Sequence, residues 1–385
     1  MYIETKAHLD TGLMADRPGE VYLVTGGCGF LGRHLVKMLV ERGQGISEIR
    51  VFDVKVDREL ESLSTDSVTV KMVQGDITDQ HQLLRATDGA DVILHTASIV
   101  DVSNCVPEAI IQKVNVQGTR HVIEACVSNG VQRCVYTSTM EVASNEKQWN
   151  HMERCNEDTP DTSFHILPYT KSKAAAEKLI LEANGRQVSG GKRLATCVLR
   201  PVGIYGEGCV LLRGTFENAV RLGGCLFRLG PHTVQIGRVY VGNVAWMHVL
   251  AANGLAETPG LLGGQFYYCS DESPDKSFMS FSMEMLRPCG VRLIGQERPV
   301  LPYFVIYMLV LLVELLQLVL RPFCSFCPLL NRYTLARASA TFTVQTDKAE
   351  RHFGYRPLYT WEQSKERTIH WLQSLPQQVY SHHRN

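Results

Sequence analysis

Runs rich in apolar and β-branched residues recur along this chain at 21–24, 49–52, 68–73, 91–95, 134–139 and 194–199. Each is bounded by glycine or polar residues and is too short for a stable helix, so each reads as a buried strand. Between them lie segments with helical spacing. Leu35, Met38 and Leu39 share one face of 34–42, and further helices are predicted over 80–87, from 115–119 through Cys126, and over 169–182. Strands that alternate with helices predict an α/β fold, a doubly wound parallel sheet covered on both faces. Residues 1–20 read as a loose leader and 55–67 as a polar connection of variable structure.

The first strand runs directly into Gly26, Gly27, Gly29 and Gly32, and the second ends in Asp53. Strand, glycine turn, helix, strand and terminal acid is the order of a dinucleotide-binding unit. Gly26 allows the sharp turn, Gly29 lets a pyrophosphate approach the backbone, and Gly32 lets helix and strand pack closely. The helix start supplies free N–H groups for the phosphates. Asp53 can accept both ribose hydroxyls of NAD and would repel the 2′-phosphate of NADP, so NAD is the expected cofactor. Asp76, just past the third strand, can meet the adenine amino group or cap the next helix. Thr96, Ala97 and Ser98 are small residues where the nicotinamide side would pass.

A different pattern occupies 303–320, where Glu314 is the sole charged residue between Pro302 and Arg321-Pro322. This length is at the lower limit for a membrane span. Tyr307, Glu314, Gln317 and Arg321 fall on one helical stripe, which can face protein or let the helix lie in the membrane interface. A second apolar run at 323–330 comes next, and membrane lipid is the expected partner of the pair.

Composition narrows the picture further. The chain has 385 residues, 45% of them hydrophobic, and a formal net charge of zero, so nucleic acid is not an expected partner. Its 12 cysteines are scattered, which favours free thiols in a reducing compartment. Cys324 and Cys327 form an isolated C-x-x-C pair without the second pair a zinc site needs, so no metal is expected. The leader has no signal-peptide core, and no N-x-S/T acceptor occurs.

Candidate catalysis lies in Tyr169-Thr170-Lys171-Ser172-Lys173, downstream of Tyr136-Thr137-Ser138-Thr139. Tyr169 and Lys173 are i and i+4 on one helix face. A free phenol has a pKa of about 10, and poising it near 7 takes roughly 4 kcal/mol of preference for the anion. The Lys173 ammonium and an oxidised nicotinamide can supply that preference, and Lys173 can also hold the nicotinamide ribose. The phenolate then accepts a proton from a substrate alcohol held by the Thr139 hydroxyl. Tyr2 and Lys6 match the same spacing but lie outside the predicted sheet. Asn115 can orient groups near Lys173 or cap its helix.

On these motifs the chain resembles the extended short-chain dehydrogenase/reductases, and within them the 3β-hydroxysteroid dehydrogenase/Δ5-Δ4 isomerase family. T-G-G-C-G-F-L-G, Asp53, Y-T-S-T and Y-x-x-x-K carry the first likeness, and segments 137–142, 199–208 and 238–246 the second. Segments 181–185, 328–331 and 352–355 resemble the bile-acid branch of that family. The resemblance implies a Rossmann-type sheet, a smaller C-terminal substrate region and an apolar membrane-associated helix. The expected divisions are a leader at 1–20, a NAD-binding unit at 21–200, a substrate region at 201–300, an apolar segment at 301–331, and 332–385 returning to the body. Tyr169 is then the proton acceptor and Lys173 the cofactor-binding partner, with Thr139 where the family often has serine. The implied reaction oxidises the 3β-alcohol of a Δ5 sterol, a 7α-hydroxylated C27 sterol, and moves the double bond to Δ4, on endoplasmic reticulum membranes. Asp271 or Glu272 can shuttle the proton, or form a solvated turn. The rivals are steroid-hormone and sterol-4-carboxylate dehydrogenases, a nucleotide-sugar epimerase and a non-catalytic NAD-binding regulator. Oligomeric state stays open.

Overall fold

The computed structural model describes residues 19–101, 104–147, 151–320 and 331–375. The Tyr2/Lys6 pair, the leader up to residue 18, the Cys324/Cys327 pair and the apolar run 323–330 lie outside them. Strands β1 (Glu20–Thr25), β2 (Ile46–Asp53), β3 (Thr69–Gln74), β4 (Val92–His95) and β5 (Arg133–Thr137) form within a few residues of the apolar runs that predicted them. After β6 (Met152–Cys155) come β7 (Ala195–Pro201), β8 (Gly203–Tyr205), β9 (Cys225–Phe227), β10 (Arg238–Tyr240) and β11 (Gln265–Cys269). The main sheet has the order β11-β7-β5-β4-β1-β2-β3, and every pair in it is parallel. Strand order reverses between β1 and β4, which opens a crevice at their carboxyl ends. The edge strand β11 comes from the predicted substrate region, so the sheet does not end at residue 200.

Helices cover both faces because the sheet is apolar on both. On one side α1 (Phe30–Arg42) lays Leu35 and Leu39 against Val24 and Val51. On the other, α2 (Gln80–Thr87), α4 (Gly118–Asn129) and α5 (Pro168–Glu182) lay Leu83, Val122 and Ile180 against Leu23, Ile93 and Val198. The helix expected from residue 115 starts earlier, with α3 (Glu108–Ile111), and reaches α4 through a π-helical stretch, Gln112–Gln117. The wider π-turn carries Asn115 inward, where it is buried. The strand expected to end at 139 stops at Thr137, because Thr139 leaves the ladder to cap the 3₁₀ turn Met140–Ala143.

Beyond β7, α6 (Val210–Arg221), α7 (Val241–Glu257), α8 (Pro259–Leu262) and α9 (Phe278–Leu286) surround short parallel pairs, β8 with β10 and β9 with β12 (Arg292–Ile294). Among the described residues, helix α10 (Tyr303–Leu320) meets the body along a narrow stripe: Ile306 and Val310 pack with Leu335 and Leu229, and Gln317 donates to Cys105 Sγ at 3.7 Å. Leu335 belongs to α11 (Arg332–Ser339). The chain then forms β13 (Phe342–Val344), parallel to β6, followed by α12 (Lys348–Phe353) and α13 (Trp361–Ser374). Nine described cysteines are free thiols. Cys105 departs from the free-thiol expectation and is disulfide-bonded.

Candidate active site

The glycine turn leaves a groove that side chains would fill. Gly26 has φ +70°, and a Cβ on it would lie 2.7 Å from Ala97 Cα, where the chain leaves β4. At Gly32 a Cβ would meet the Gly26 carbonyl oxygen at 2.2 Å. Gly29 differs: a Cβ there would meet only the Gly26 oxygen, at 3.0 Å, so its other side is open. It stands at the N-cap of α1 with no side-chain hydrogen bond, and the first turn holds no acid. Asp53 closes the groove at the end of β2, accepting from the backbone N–H of Cys28 and of Lys55, each at 3.0 Å. This cradle fits a dinucleotide: backbone N–H groups for the pyrophosphate, a carboxylate for the ribose. Asp76 accepts from Thr78 N–H at 2.8 Å, which makes it a turn residue; the cap of α2 is Asp79.

Helix α5 brings Tyr169 and Lys173 to the carboxyl end of β5, and both are buried. Lys173 Nζ donates to the Thr137 carbonyl at 2.6 Å and lies 4.4 Å from the centroid of the Tyr136 ring. Burial lowers its pKa to about 7, against the opposing pull of the Glu177 carboxylate. Burial also raises the Tyr169 phenol above its ordinary value, and the Glu141 charge raises it further; the Thr139 hydroxyl, in hydrogen-bond reach, lowers it. The expected preference for the anion comes from Lys173 together with an oxidised nicotinamide, and the protein alone does not supply it. Within the protein alone, desolvation dominates, and the lysine spends its hydrogen bond on the backbone. A cation bound beside the phenol must supply the remaining preference.

Most groups around this pair are engaged, although the buried Thr170 Oγ1 finds no partner. Asn115 donates to the Ile99 carbonyl at 3.0 Å and to Ser172 Oγ at 2.9 Å, and accepts from Ile99 N–H at 2.8 Å. It ties α5 to the loop after β4 and caps no helix. Ser138 donates to Glu177 at 2.5 Å, and Arg200 pairs with the same carboxylate. That leaves Thr139 as the hydroxyl beside Tyr169. His95 is fully buried between Thr25 Oγ1 at 2.7 Å and Thr119 Oγ1 at 2.9 Å; burial, helped by the Lys173 charge, drops its pKa to about 3, so it stays neutral. Glu141, two residues beyond Thr139, accepts from Tyr333 Oη at 2.9 Å and Arg337 Nε at 3.0 Å, both on α11. Asp271 is taken up by Tyr240 N–H, Asn243 Nδ2 and Ser273 N–H, which makes it the anchor of the α7 start and no free proton carrier. Glu272 is exposed.

Sequence reasoning missed Glu177, although it continues the four-residue spacing of Tyr169 and Lys173. It also missed the Glu141–Arg337 pair, for which a separation of 196 positions leaves no local signal.

Comparison with known proteins gives a consistent result. A profile of the "3-beta hydroxysteroid dehydrogenase/isomerase family" matches residues 23–301. The chain is 53% identical over 361 residues to mouse (Mus musculus) 3 beta-hydroxysteroid dehydrogenase type 7, covering 94% of this chain and 98% of the relative. It is 54% identical over 354 residues to the human protein of that name, covering 92% and 96%. Among solved structures, the fold is shared by a Thermus thermophilus UDP-glucose 4-epimerase in complex with NAD, with TM-score 0.62 and 20% identity over 92% of this chain and 100% of that one. A Streptomyces venezuelae dTDP-glucose 4,6-dehydratase with NAD bound gives TM-score 0.65 and 21% identity over 92% and 97%.

Proposed function

The chain belongs to the 3-beta hydroxysteroid dehydrogenase/isomerase family, and from that membership we propose that Tyr169, Lys173 and Thr139 carry out NAD-dependent oxidation of 7α-hydroxylated C27 Δ5 sterols. As a member it is an NAD-dependent 3β-hydroxysteroid dehydrogenase. The finer choice of sterol rests on segments 181–185, 328–331 and 352–355, which resemble the bile-acid branch. One observation carries the catalytic assignment: Tyr169 meets the Thr139 hydroxyl at the end of β5, one strand from the loop that crosses Gly26.

When bound, NAD supplies the hydride acceptor and a positive ring. Gly26, Gly29 and Gly32 would admit its pyrophosphate, Asp53 its ribose, and Asp76 borders the adenine end. Thr139 orients the 3β-hydroxyl oxygen. Tyr169 takes the hydroxyl proton at its phenolic oxygen as hydride leaves the carbinol carbon. Lys173 donates to the Thr137 carbonyl and would hold the nicotinamide ribose when NAD is bound. The resulting 3-ketone acidifies the C4 protons, so migration of the double bond to Δ4 needs only proton transfer.

Membrane lipid enters the proposal through α10. Its mean hydropathy is 2.4, and Phe304, Met308 and Leu318 are 68%, 61% and 66% exposed. The stripe of Ile306 and Val310 is docked on the body, and Glu314 is neutralised by Arg332 of α11 at 2.6 Å. Docking along one side and an ion pair within the apolar stretch favour a helix lying in one leaflet over a span. A water-insoluble substrate gives that seat a purpose, and the endoplasmic reticulum membrane is the proposed location. The divisions at 300 and 331 remain part of this reading, whereas β11 carries the sheet past the one at 200, and the β6–β13 pair supports return of the C-terminal region.

A sterol panel with NAD and NADP, followed by mass spectrometry, tests the whole. We expect NADH formation with 7α-hydroxycholesterol and a 3-oxo-Δ4 product. Turnover confined to pregnenolone, or a product with the double bond unmoved, defeats the assignment.

A further inference from the structure

A folded arginine ordinarily finds acceptors for most of its five N–H groups. Arg238 on β10 is an exception. Its Nε is buried without a hydrogen-bond partner, and the guanidinium pairs with no carboxylate among the described residues. The side chain is nonetheless held in a made place. Opposite it on β8 stands Gly203, where a Cβ would lie 2.3 Å from Nη1. Phe278 and Phe281 of α9 flank the guanidinium, each ring centroid 5.5 Å from Cζ.

The surrounding charges do not neutralise it. Burial pulls its pKa down to about 10, the Arg337 charge pulls the same way, and Cys209 and Asp275 only partly oppose them. Arg238 therefore stays cationic at neutral pH, and a half-buried cation whose Nε has no partner gains from a ligand that supplies an anion. Its neighbour Arg337 binds Glu141, two residues from Thr139, so one ion pair separates the unmatched charge from the Thr139 end of the site.

A sterol offers flat apolar rings to aromatic walls and oxygen atoms at its extremities. The 3β-oxygen belongs to Tyr169, which leaves an oxygen elsewhere on the substrate. Resting on the sterol reading above, we propose that Arg238 is a specificity-determining residue that binds a carboxylate on the substrate side chain. A carboxylate matches the planar fork of a guanidinium and cancels its charge, which a hydroxyl does not. The cofactor pyrophosphate is the competing anion. The glycine turn and the start of α1 already serve it, whereas Arg238 sits in a separate two-stranded pair between rings of α9.

The test uses the full chain in detergent with NAD and a matched pair of 7α-hydroxylated Δ5 sterols. One ends its side chain in a carboxylate, the other in the corresponding primary alcohol. For Arg238→Met, we expect the ratio of kcat/KM for acid over alcohol to fall about 10–100-fold, as for loss of a charge-assisted hydrogen bond. Arg238→Lys should recover part of that ratio, and NADH binding by fluorescence reports folding in both variants. An unchanged ratio overturns the proposal. So does a rise in KM for NAD with the sterol ratio intact, which would give Arg238 to the cofactor. If the parent chain turns over neither sterol, the sterol reading falls first and takes this inference with it; with a parent active on both, the ratio reports on Arg238 alone.

Discussion

Replacing Arg337 by Met separates the field at Tyr169 from the residues that touch it. In the parent, Glu141 Oε1 accepts from Arg337 Nε at 3.0 Å and Oε2 from Tyr333 Oη at 2.9 Å. The two ion-pair side chains are 19% and 14% exposed, so water screens them only in part. Charged hydrogen bonds contribute about 1.5–3 kcal/mol, and partial exposure discounts this to roughly 1–2 kcal/mol. For a chain this large the melting temperature should fall by about 1–3 °C. The second effect is on pH dependence. Glu141 already raises the Tyr169 phenol, after burial, and Arg337 shields that charge, with Arg238 and Glu146 the other charged groups nearby. With Arg337 gone, the phenol should hold its proton more tightly. Because the phenolate is the working form, the rising limb of kcat against pH should move to higher pH. Glu141→Gln should move it the other way, and the double variant should return stability partway toward the parent. Stopped-flow NADH formation from about pH 6 to 11, a range that brackets the ordinary phenol pKa, reads the limb beside thermal melts. An Arg337→Met limb that stays in place, or moves down, refutes the idea that α11 tunes the phenol through Glu141.

Three further perturbations probe the same geometry. Asp53→Ala should raise KM for NAD about 10–100-fold and shift preference toward NADP, measured as the ratio of kcat/KM values; an unchanged ratio would remove Asp53 from the ribose. Gly32→Ala places a Cβ 2.2 Å from the Gly26 oxygen, so it should cost about 1–3 kcal/mol in urea melts and abolish NADH fluorescence binding. The triple change Phe304→Glu, Met308→Glu and Leu318→Glu should leave the chain at the bottom of a vesicle flotation gradient while activity in detergent persists; flotation equal to the parent would discount α10 as the lipid contact.

The parallel sheet and the cofactor groove were legible because they depend on local pattern. Val24, Gly26, Gly32 and Asp53 fall within 30 consecutive positions, and strand period, turn chemistry and helix spacing agree there. Tyr169 and Lys173 were legible for the same reason, since four residues of helix put them on one face. What periodicity could not supply was the electrostatics. Burial acts against the Tyr169 phenolate and against the Lys173 ammonium alike, and no sequence window reports it. Pairing across the chain was equally hidden: Glu141 meets Arg337 of α11 across 196 positions of sequence. Asp271 shows the converse, a carboxylate with plausible chemistry whose oxygens are consumed by Tyr240, Asn243 and Ser273. Asn115 was open between two roles, and the π-turn decided for the one that binds Ile99 and Ser172.

The assignment depends most on the phenolic oxygen of Tyr169. Tyr169→Phe keeps the ring and its packing and removes only that oxygen, so melting temperature and NADH binding should match the parent. Single-turnover sterol oxidation at about pH 8 should slow by about 10²–10⁴-fold, the range for loss of a positioned acid–base group. Sterol oxidation by Tyr169→Phe at the parental rate would contradict the account.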